Sequence, residues 1–391
     1  MPQPTSDKKL VYVLNYVNAD DTQHFVHVLN LLTRLKELGW SVTVISEKGG
    51  EGVQSILGHD VHYMSRDGGW SRLLRLAKTL IGLRRQGYRL IFVRISRPAA
   101  LVAALLARPF GWKTLYWLSG ATDDFNSRQP LVRRSIDAAI LKTIFTGIHR
   151  FVTGPESMIT YYQTVYRVPA RKCVLLYNDI DVDRYQATTP SAPARDLSIL
   201  ILHRLSPVRE TDRYMPGIVA ALSEYAAQGQ RVRLNIVGDG PERPALEKTA
   251  AAASGGLEVV FHGAVPNRRV HEFYKTADIF IMPSYREGFP RVIIEAMAMG
   301  LPIVTTDAGG TRDLLGPQQS EFVAARDDAA AFAAKLKSLA AAPNKRRELG
   351  AENRREVMRF STSAVAHMYD EALSTLLADG EQQRDVRVDH A

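Results

Sequence analysis

The chain has 391 residues, 46% of them hydrophobic, and a formal net charge of +9, so length suggests two or three domains and the apolar content is ordinary for a globular protein. No apolar run reaches the ~18 residues that suggest a membrane-spanning helix, Pro98–Ala107 being the longest. The single cysteine, Cys173, cannot form an internal disulfide, which favours a reducing compartment. All of the excess charge lies in the first half: residues 1–190 carry 25 Lys or Arg against 15 Asp or Glu, and residues 191–391 carry 25 against 26. Gly68–Thr122 holds ten basic residues and no acidic one, which points to an anionic partner. Zinc-ligand spacing, aromatic-interleaved basic motifs and recognition-helix patterns are absent, so nucleic acid is not the expected partner.

The first residues read as a leader and not as a signal peptide, because no small-residue cleavage pattern follows. Leu10–Leu14 is a short apolar strand, His24–Gly39 has helical spacing closed by a glycine, and Ser41–Ser46 is again a strand. That β-α-β order opens a parallel, doubly wound sheet, whose ligands bind beyond the carboxyl ends of the strands. The loop Asn15–Gln23 is therefore a candidate site, with Asp20 and Asp21 either facing a ligand or capping the next helix. Trp70–Gln86 reads as an amphipathic helix, with Trp70, Leu73, Leu74, Ala77, Leu80 and Ile81 on one face and Arg72, Arg75, Lys78 and Arg85 on the other. Either that basic face is hydrated, or it rests on anionic lipid, where each Lys or Arg contributes about 1 kcal/mol. Tyr88–Ile95 and Lys113–Leu118 are further strands, the second followed by Ser119, Asp123 and Asp124. The acids of Val174–Tyr185 lack the turn glycine and distal Glu of a calcium loop. Gln186–Asp196, rich in Pro, Ala and Thr, is the expected linker.

The second half restarts with the strand Leu197–Leu205, which runs into HRLSPVRETD with Arg204 and Arg209. Arg233–Ala250 is strand, turn and helix; its turn has Gly238 and Gly240 but Arg243 where a dinucleotide fingerprint needs a third glycine, which discounts a dehydrogenase. Two more strands follow, with Gly263 in the loop between the first of them and a helix. Tyr285–Thr305, YREGFPRVIIEAMAMGLPIVT, divides into loop, helix and strand. Pro290 suits a first helical turn and Gly300 the position past a helix end, so the helix is expected over Pro290–Met299. Glu287 then lies in the loop and Glu295 roughly 7 to 8 Å further along the axis. Between them, the N–H groups of Arg291 and Val292 stand at the positive helix end, suited to a phosphate or a polyol oxygen. Ala-rich packing helices follow from Asp327 to Ala342, Phe360–Asp379 has helical spacing, and residues 380–391 are expected to be a disordered tail.

The string EGFPRVIIEAMAMGLPIVTTDAGGTRDLL resembles the E-x7-E segment of the retaining glycosyltransferases of family 4, which have the two-domain GT-B fold. The resemblance implies two facing Rossmann-like domains with an interdomain cleft: an acceptor domain at 1–185, a linker at 186–196 and a nucleotide-sugar domain at 197–359. The helix 360–379 would cross back onto the first. By the same resemblance Glu287 contacts the donor sugar and Glu295 the ribose, while Arg204 and Arg209, the latter replacing a lysine, take the diphosphate. Gly288, Phe289, Pro290, Arg291, Val292, Gly238 and Gly263 would line the donor site, and Asp20, Asp21, Ser119 and Asp123 would face the acceptor. The sequence departs from the family in several places: paired glycines in the first loop and a histidine after Lys113–Leu118 are missing, Asp179 replaces the glycine of an Asn-Gly-Val-Asp segment, and His203 and Glu210 replace glycines.

The implied activity is transfer of a sugar from a UDP- or GDP-sugar to a lipid-linked or polysaccharide acceptor, with retention and without metal or cofactor, since the arginines and the helix terminus supply the positive charge. The alternatives are a soluble transferase acting on a small molecule and a sugar-nucleotide epimerase of the same architecture. The expected location is cytoplasmic, either free or peripheral on the inner face of the membrane.

Overall fold

β1 (Lys9–Leu14), α1 (Val26–Glu37) and β2 (Ser41–Ser46) form a βαβ unit, with β1 and β2 parallel and in register from Lys9–Ser41 to Leu14–Ser46. A hairpin absent from the sequence reading follows: β3 (Val53–Ile56) and β4 (His59–Tyr63), antiparallel to each other around Leu57 and Gly58, both at positive φ. The unit continues through α2 (Trp70–Arg85), β5 (Leu90–Arg94), α3 (Arg97–Phe110), β6 (Lys113–Trp117), α4 (Leu131–Gly147), β7 (Arg150–Thr153), α5 (Glu156–Thr164) and β8 (Cys173–Leu175). Among the described residues, its eight strands lie in the order β3-β4-β2-β1-β5-β6-β7-β8. This is a computed structural model; it describes residues 8–17, 26–64, 69–118, 131–185 and 196–388.

Strand periodicity sends alternate side chains to opposite faces. Leu10, Tyr12 and Leu14 enter a core with Leu29 and Leu32 of α1, whereas Val11 and Val13 enter another with Leu76 and Leu80 of α2 and Ala100 and Ala103 of α3. Both faces are covered, as a parallel sheet requires.

The face of α2 differs from expectation. Leu76, Leu80 and Leu83 are the buried residues, with Leu73 and Ala77 partly buried, while Trp70 is 81% and Leu74 63% exposed. The apolar stripe is rotated by part of a turn, so these two side chains share the outward face with Arg75, Lys78 and Arg85, all exposed. Arg94, one of the ten basic residues of Gly68–Thr122, is buried; its guanidinium donates to Tyr12 Oη at 3.1 Å and to Asn178 Oδ1, and lies 4.3 Å from the centre of the Trp117 ring.

The second unit comprises β9 (Leu197–Leu202), α6 (Thr211–Ala226), β10 (Val232–Val237), α7 (Arg243–Ala250), β11 (Leu257–Gly263), α8 (Asn267–Thr276), β12 (Ile279–Met282), α9 (Arg291–Ala298), β13 (Ile303–Thr306), β14 (Val323–Ala324), α10 (Ala329–Ala340) and α11 (Pro343–Glu356). Among the described residues, six parallel strands lie in the order β11-β10-β9-β12-β13-β14. Asp328 caps α10 by accepting from the Ala331 N–H at 2.8 Å.

The last helix, α12 (Thr362–Val388), belongs to the first unit, which is Met1–Asp179 with Thr362–Ala391; the second is Ile180–Ser361. Val365, Ala366, Tyr369 and Leu373 of α12 join the α1 core, and Asp370 accepts from Trp40 Nε1 at 2.7 Å and Lys8 Nζ at 2.8 Å. The helix runs on to Val388 through the stretch expected to be a tail, because Glu381, Gln382, Gln383 and Arg384 are good helix formers with no proline among them. The chain changes units after Asp179, six residues before the expected domain end, since the Ile180 N–H donates to Phe360 O at 2.9 Å and Tyr185 packs edge-on against Tyr274.

Candidate active site

Loops at the carboxyl ends of β9, β12 and β13 meet in the second unit. The Tyr285 N–H donates to Arg209 O at 2.7 Å and the Gly310 N–H to Gly288 O at 3.3 Å, so the loop carrying Glu287 is tied from both sides. Gly309 has a φ of 57°, and a Cβ there would stand 2.1 Å from the Glu287 carbonyl oxygen. A side chain at that position would push Glu287 out of place.

α9 begins at Arg291, one residue later than expected: Pro290, at φ −74° and ψ 103°, is still extended and occupies the N-cap. Its carbonyl accepts from the Ile293 N–H at 3.1 Å, which starts the helix and sets Arg291 and Val292 in its first turn. Glu287 lies in the loop before it and Glu295 is its fifth residue.

Both carboxylates are buried. The Glu287 side chain is 6% exposed, pairs with the Arg209 guanidinium and accepts from Ser284. Burial pushes its carboxyl above the usual carboxylate range, and Arg209 and Ser284 pull it back. Glu295 accepts from Tyr274 Oη at 3.0 Å and from the Tyr185 phenol, with Arg291 3.7 Å away. Burial raises its carboxyl too, opposed first by Arg291. Tyr274, Tyr185 and Ser284 were not singled out from sequence, since an aromatic at a helical apolar position reads as core.

Arg204 is exposed and Arg209 half-buried. His203, where the family has glycine, is buried; its Nδ1–H donates to Arg204 O at 3.1 Å, and burial together with Arg209 drives its pKa down to about 3. Gly238 and Gly263 hold strand ends together: the Gly238 N–H donates to Gly263 O at 2.8 Å, and a Cβ on Gly238, at φ 135°, would meet His203 O at 2.0 Å. Phe289 packs edge-on against Phe360 at 5.8 Å between centroids.

In the first unit, Asp20, Asp21, Ser119 and Asp123 lie outside the described residues. At the carboxyl ends of β2 and β5 the sequence reading passed over Glu47, a buried acid that accepts from Ser96 Oγ at 2.5 Å. Among the described residues no helix is long and apolar enough to cross a membrane.

Two family descriptions match the chain: "Glycosyltransferase Family 4" over residues 25–184 and "Glycosyl transferases group 1" over residues 191–356. A GDP-mannose-dependent alpha-mannosyltransferase of Mycobacterium tuberculosis is 38% identical over 30% of this chain and 27% of its own. A D-inositol 3-phosphate glycosyltransferase of Streptomyces scabiei is 26% identical over 53% and 50%. Seven of the curated relatives are matched over only 20% to 53% of their own length. Among solved structures, HepE of Anabaena in complex with UDP aligns with a TM-score of 0.73 at 18% identity, over 94% of this chain and 100% of that one. Two parallel-sheet α/β units with a paired-glutamate loop and helix in the second define the GT-B glycosyltransferase architecture. Within that class the chain is a glycosyltransferase of the family 4 type.

Proposed function

We propose that this chain is a retaining glycosyltransferase that moves a sugar from a UDP- or GDP-sugar to a hydroxyl of a lipid-linked or polysaccharide acceptor. The observation that carries this reading is the pair of buried carboxylates on one loop and helix, Glu287 held by Arg209 and Glu295 held by Tyr274 and Tyr185. Carboxylates fixed in this way have lone pairs left for hydroxyl donors, and their orientation is set before a ligand arrives. In this reading Glu287 accepts from the transferred sugar and Glu295 from the ribose. Arg204, Arg209 and the first turn of α9 at Arg291 and Val292 meet the charge that develops on the diphosphate as the anomeric C–O bond breaks, so no metal is needed. Gly288, Phe289, Pro290, Gly238 and Gly263 shape the donor site around them. The acceptor oxygen bonds to the anomeric carbon on the face the diphosphate leaves, and its proton passes to the departing phosphate oxygen. The names of the mannosyltransferase relative and of the UDP-bound HepE structure support a nucleoside diphosphate donor.

Exposed Trp70 and Leu74 among Arg75, Lys78 and Arg85 favour an acceptor at an anionic membrane surface and a peripheral location on its cytoplasmic side. In binding to vesicles containing anionic lipid, a Trp70→Ser/Leu74→Ser variant is expected to lose most of the wild-type signal; equal binding would remove the membrane from this reading. The name of the inositol phosphate relative favours a second reading, a soluble enzyme whose acceptor is a small polar molecule.

The test is thermal denaturation with UDP, GDP and ADP, on wild type and Glu295→Gln, followed by product analysis with the sugar nucleotides of the responding base. Stabilisation of wild type alone, and an anomeric configuration in the product equal to that of the donor even with chelator present, support the proposal. An inverted product, or sugar nucleotides interconverted without an acceptor, would overturn it.

A further inference from the structure

The first unit has a second concentration of charge, at the end of its sheet opposite to the carboxyl ends of the strands. β6, β7 and β8 are neighbours, and Lys113, Arg150 and Lys172 stand at or just before their amino ends. Gly147, the last residue of α4, packs so closely on α3 that a Cβ would lie 2.7 Å from that of Ala104. Arg108, one turn beyond Ala104 on the same face of α3, is thereby set beside the end of α4. Arg108, Thr146, Gly147, Ile148, His149, Arg150, Arg171 and Lys172 line a cavity of about 270 Å³ at this place.

The cations there are incompletely neutralised. Lys172 donates to the carbonyls of Phe145 at 2.9 Å and Ile148 at 2.8 Å and so caps α4. Arg150 pairs with Asp379 at 2.6 Å. Arg108 and Arg171 make no side-chain hydrogen bond or ion pair among the described residues. The Thr114 N–H can only donate, and it points at His149 Nδ1 from 3.3 Å, so the imidazole proton sits on Nε2. Burial and the charges of Lys113, Lys172, Arg150 and Arg108 keep that ring neutral, with a pKa of about 4.

Two uncommitted guanidinium groups, a third shared with one carboxylate and an imidazole N–H around a cavity suit a compact anion with several acceptor oxygens. We propose that this cavity binds a phosphate monoester, either as a soluble metabolite or as the headgroup of a lipid. It is distinct from the proposed donor site, lies in the other unit, and does not depend on the reading given above.

The probes are inorganic phosphate, glycerol 3-phosphate, and vesicles of phosphatidic acid or of phosphatidylcholine. They are applied to the full chain, to Arg108→Ala/Arg171→Ala, and to Arg209→Ala as a control for binding at the donor loops. At matched ionic strength, glycerol 3-phosphate is expected to raise the melting temperature of wild type and Arg209→Ala and to shift a His149 ring signal, identified by its loss in His149→Gln. Loss of two charge-assisted contacts should weaken its binding by about tenfold or more in the double variant. Binding to phosphatidic acid vesicles that falls in the double variant would assign the phosphate to a lipid. Binding of the soluble ester alone would assign it to a metabolite. An unresponsive wild type, equal affinity in the double variant, or a response lost in Arg209→Ala would overturn the proposal.

Discussion

Tyr274 Oη donates to Glu295 Oε2 at 3.0 Å, and both side chains are buried. A hydrogen bond to a buried charge contributes about 1.5–3 kcal/mol, and here it also fixes which way the carboxylate faces. Tyr274→Phe removes the donor and little volume. The variant is expected to melt at a lower temperature and to bind the preferred nucleoside diphosphate about tenfold or more weakly by calorimetry. Affinity equal to that of wild type would show that Glu295 needs no orienting partner, and its proposed ribose role would then be in question.

The buried Glu287 carboxylate pairs with the half-buried Arg209 guanidinium. Removing one partner of such a pair leaves the other charge uncompensated, at a cost of about 3–5 kcal/mol. Arg209→Ala should therefore lose far more activity than Arg209→Lys. It should also move the acid limb of the pH–rate profile upward, because burial without the cation raises the Glu287 carboxyl further. A profile that falls in height without moving would mean that Arg209 acts on the substrate alone.

Glu210 sits in the left-handed region at φ 50° and ψ 43°, directly before α6. A glycine occupies that region without strain. Its only ion pair among the described residues is a part-exposed one with Arg213 at 3.6 Å, which contributes little. Glu210→Gly is expected to stabilise the chain by about 0.5–1 kcal/mol in chemical denaturation. A loss of stability would mean that the carboxylate has a role the geometry does not reveal.

Much of this architecture was legible in the sequence because the strands are short apolar runs and the helix ends carry glycine or a capping acid. Ser41–Ser46 is the strand the pattern predicts, and the loop and helix around Glu287 and Glu295 follow from Pro290 and Gly300 to within one residue at each end. What was hidden depends on tertiary contacts. Hydropathy alone could not choose the buried face of α2, because Trp70 and Leu74 lie beside Leu73 and Ala77 on the helical wheel and only packing on the sheet separates them. Nor could spacing find Tyr274, 21 residues before Glu295, or tell Arg94, stacked on Trp117 and hydrogen-bonded to Tyr12, from the cations that face water.

Glu242, at the N-cap of α7, links the turn after β10 to the stability of the fold. It is buried, its Oε2 has no partner among the described residues, and burial followed by the neighbouring Asp212 raises its pKa to about 7. A carboxyl whose pKa is higher in the folded than in the unfolded chain favours folding in its protonated form. That contribution is complete below the unfolded value of about 4.5 and disappears as pH rises through about 7. The neutral histidines act with the opposite sign. His203 and His149, held at about 3 and about 4, favour folding above their unfolded value of 6.5 and lose that contribution as pH falls below it. The comparison must therefore be between wild type and Glu242→Gln at each pH, because the histidine contribution cancels in the difference. Glutamine keeps the shape and cannot ionise, so the variant should gain melting temperature relative to wild type between about pH 5 and about pH 8. A difference that stays constant across that range would mean that Glu242 ionises in the native state at its ordinary value, with Oε2 reached by water.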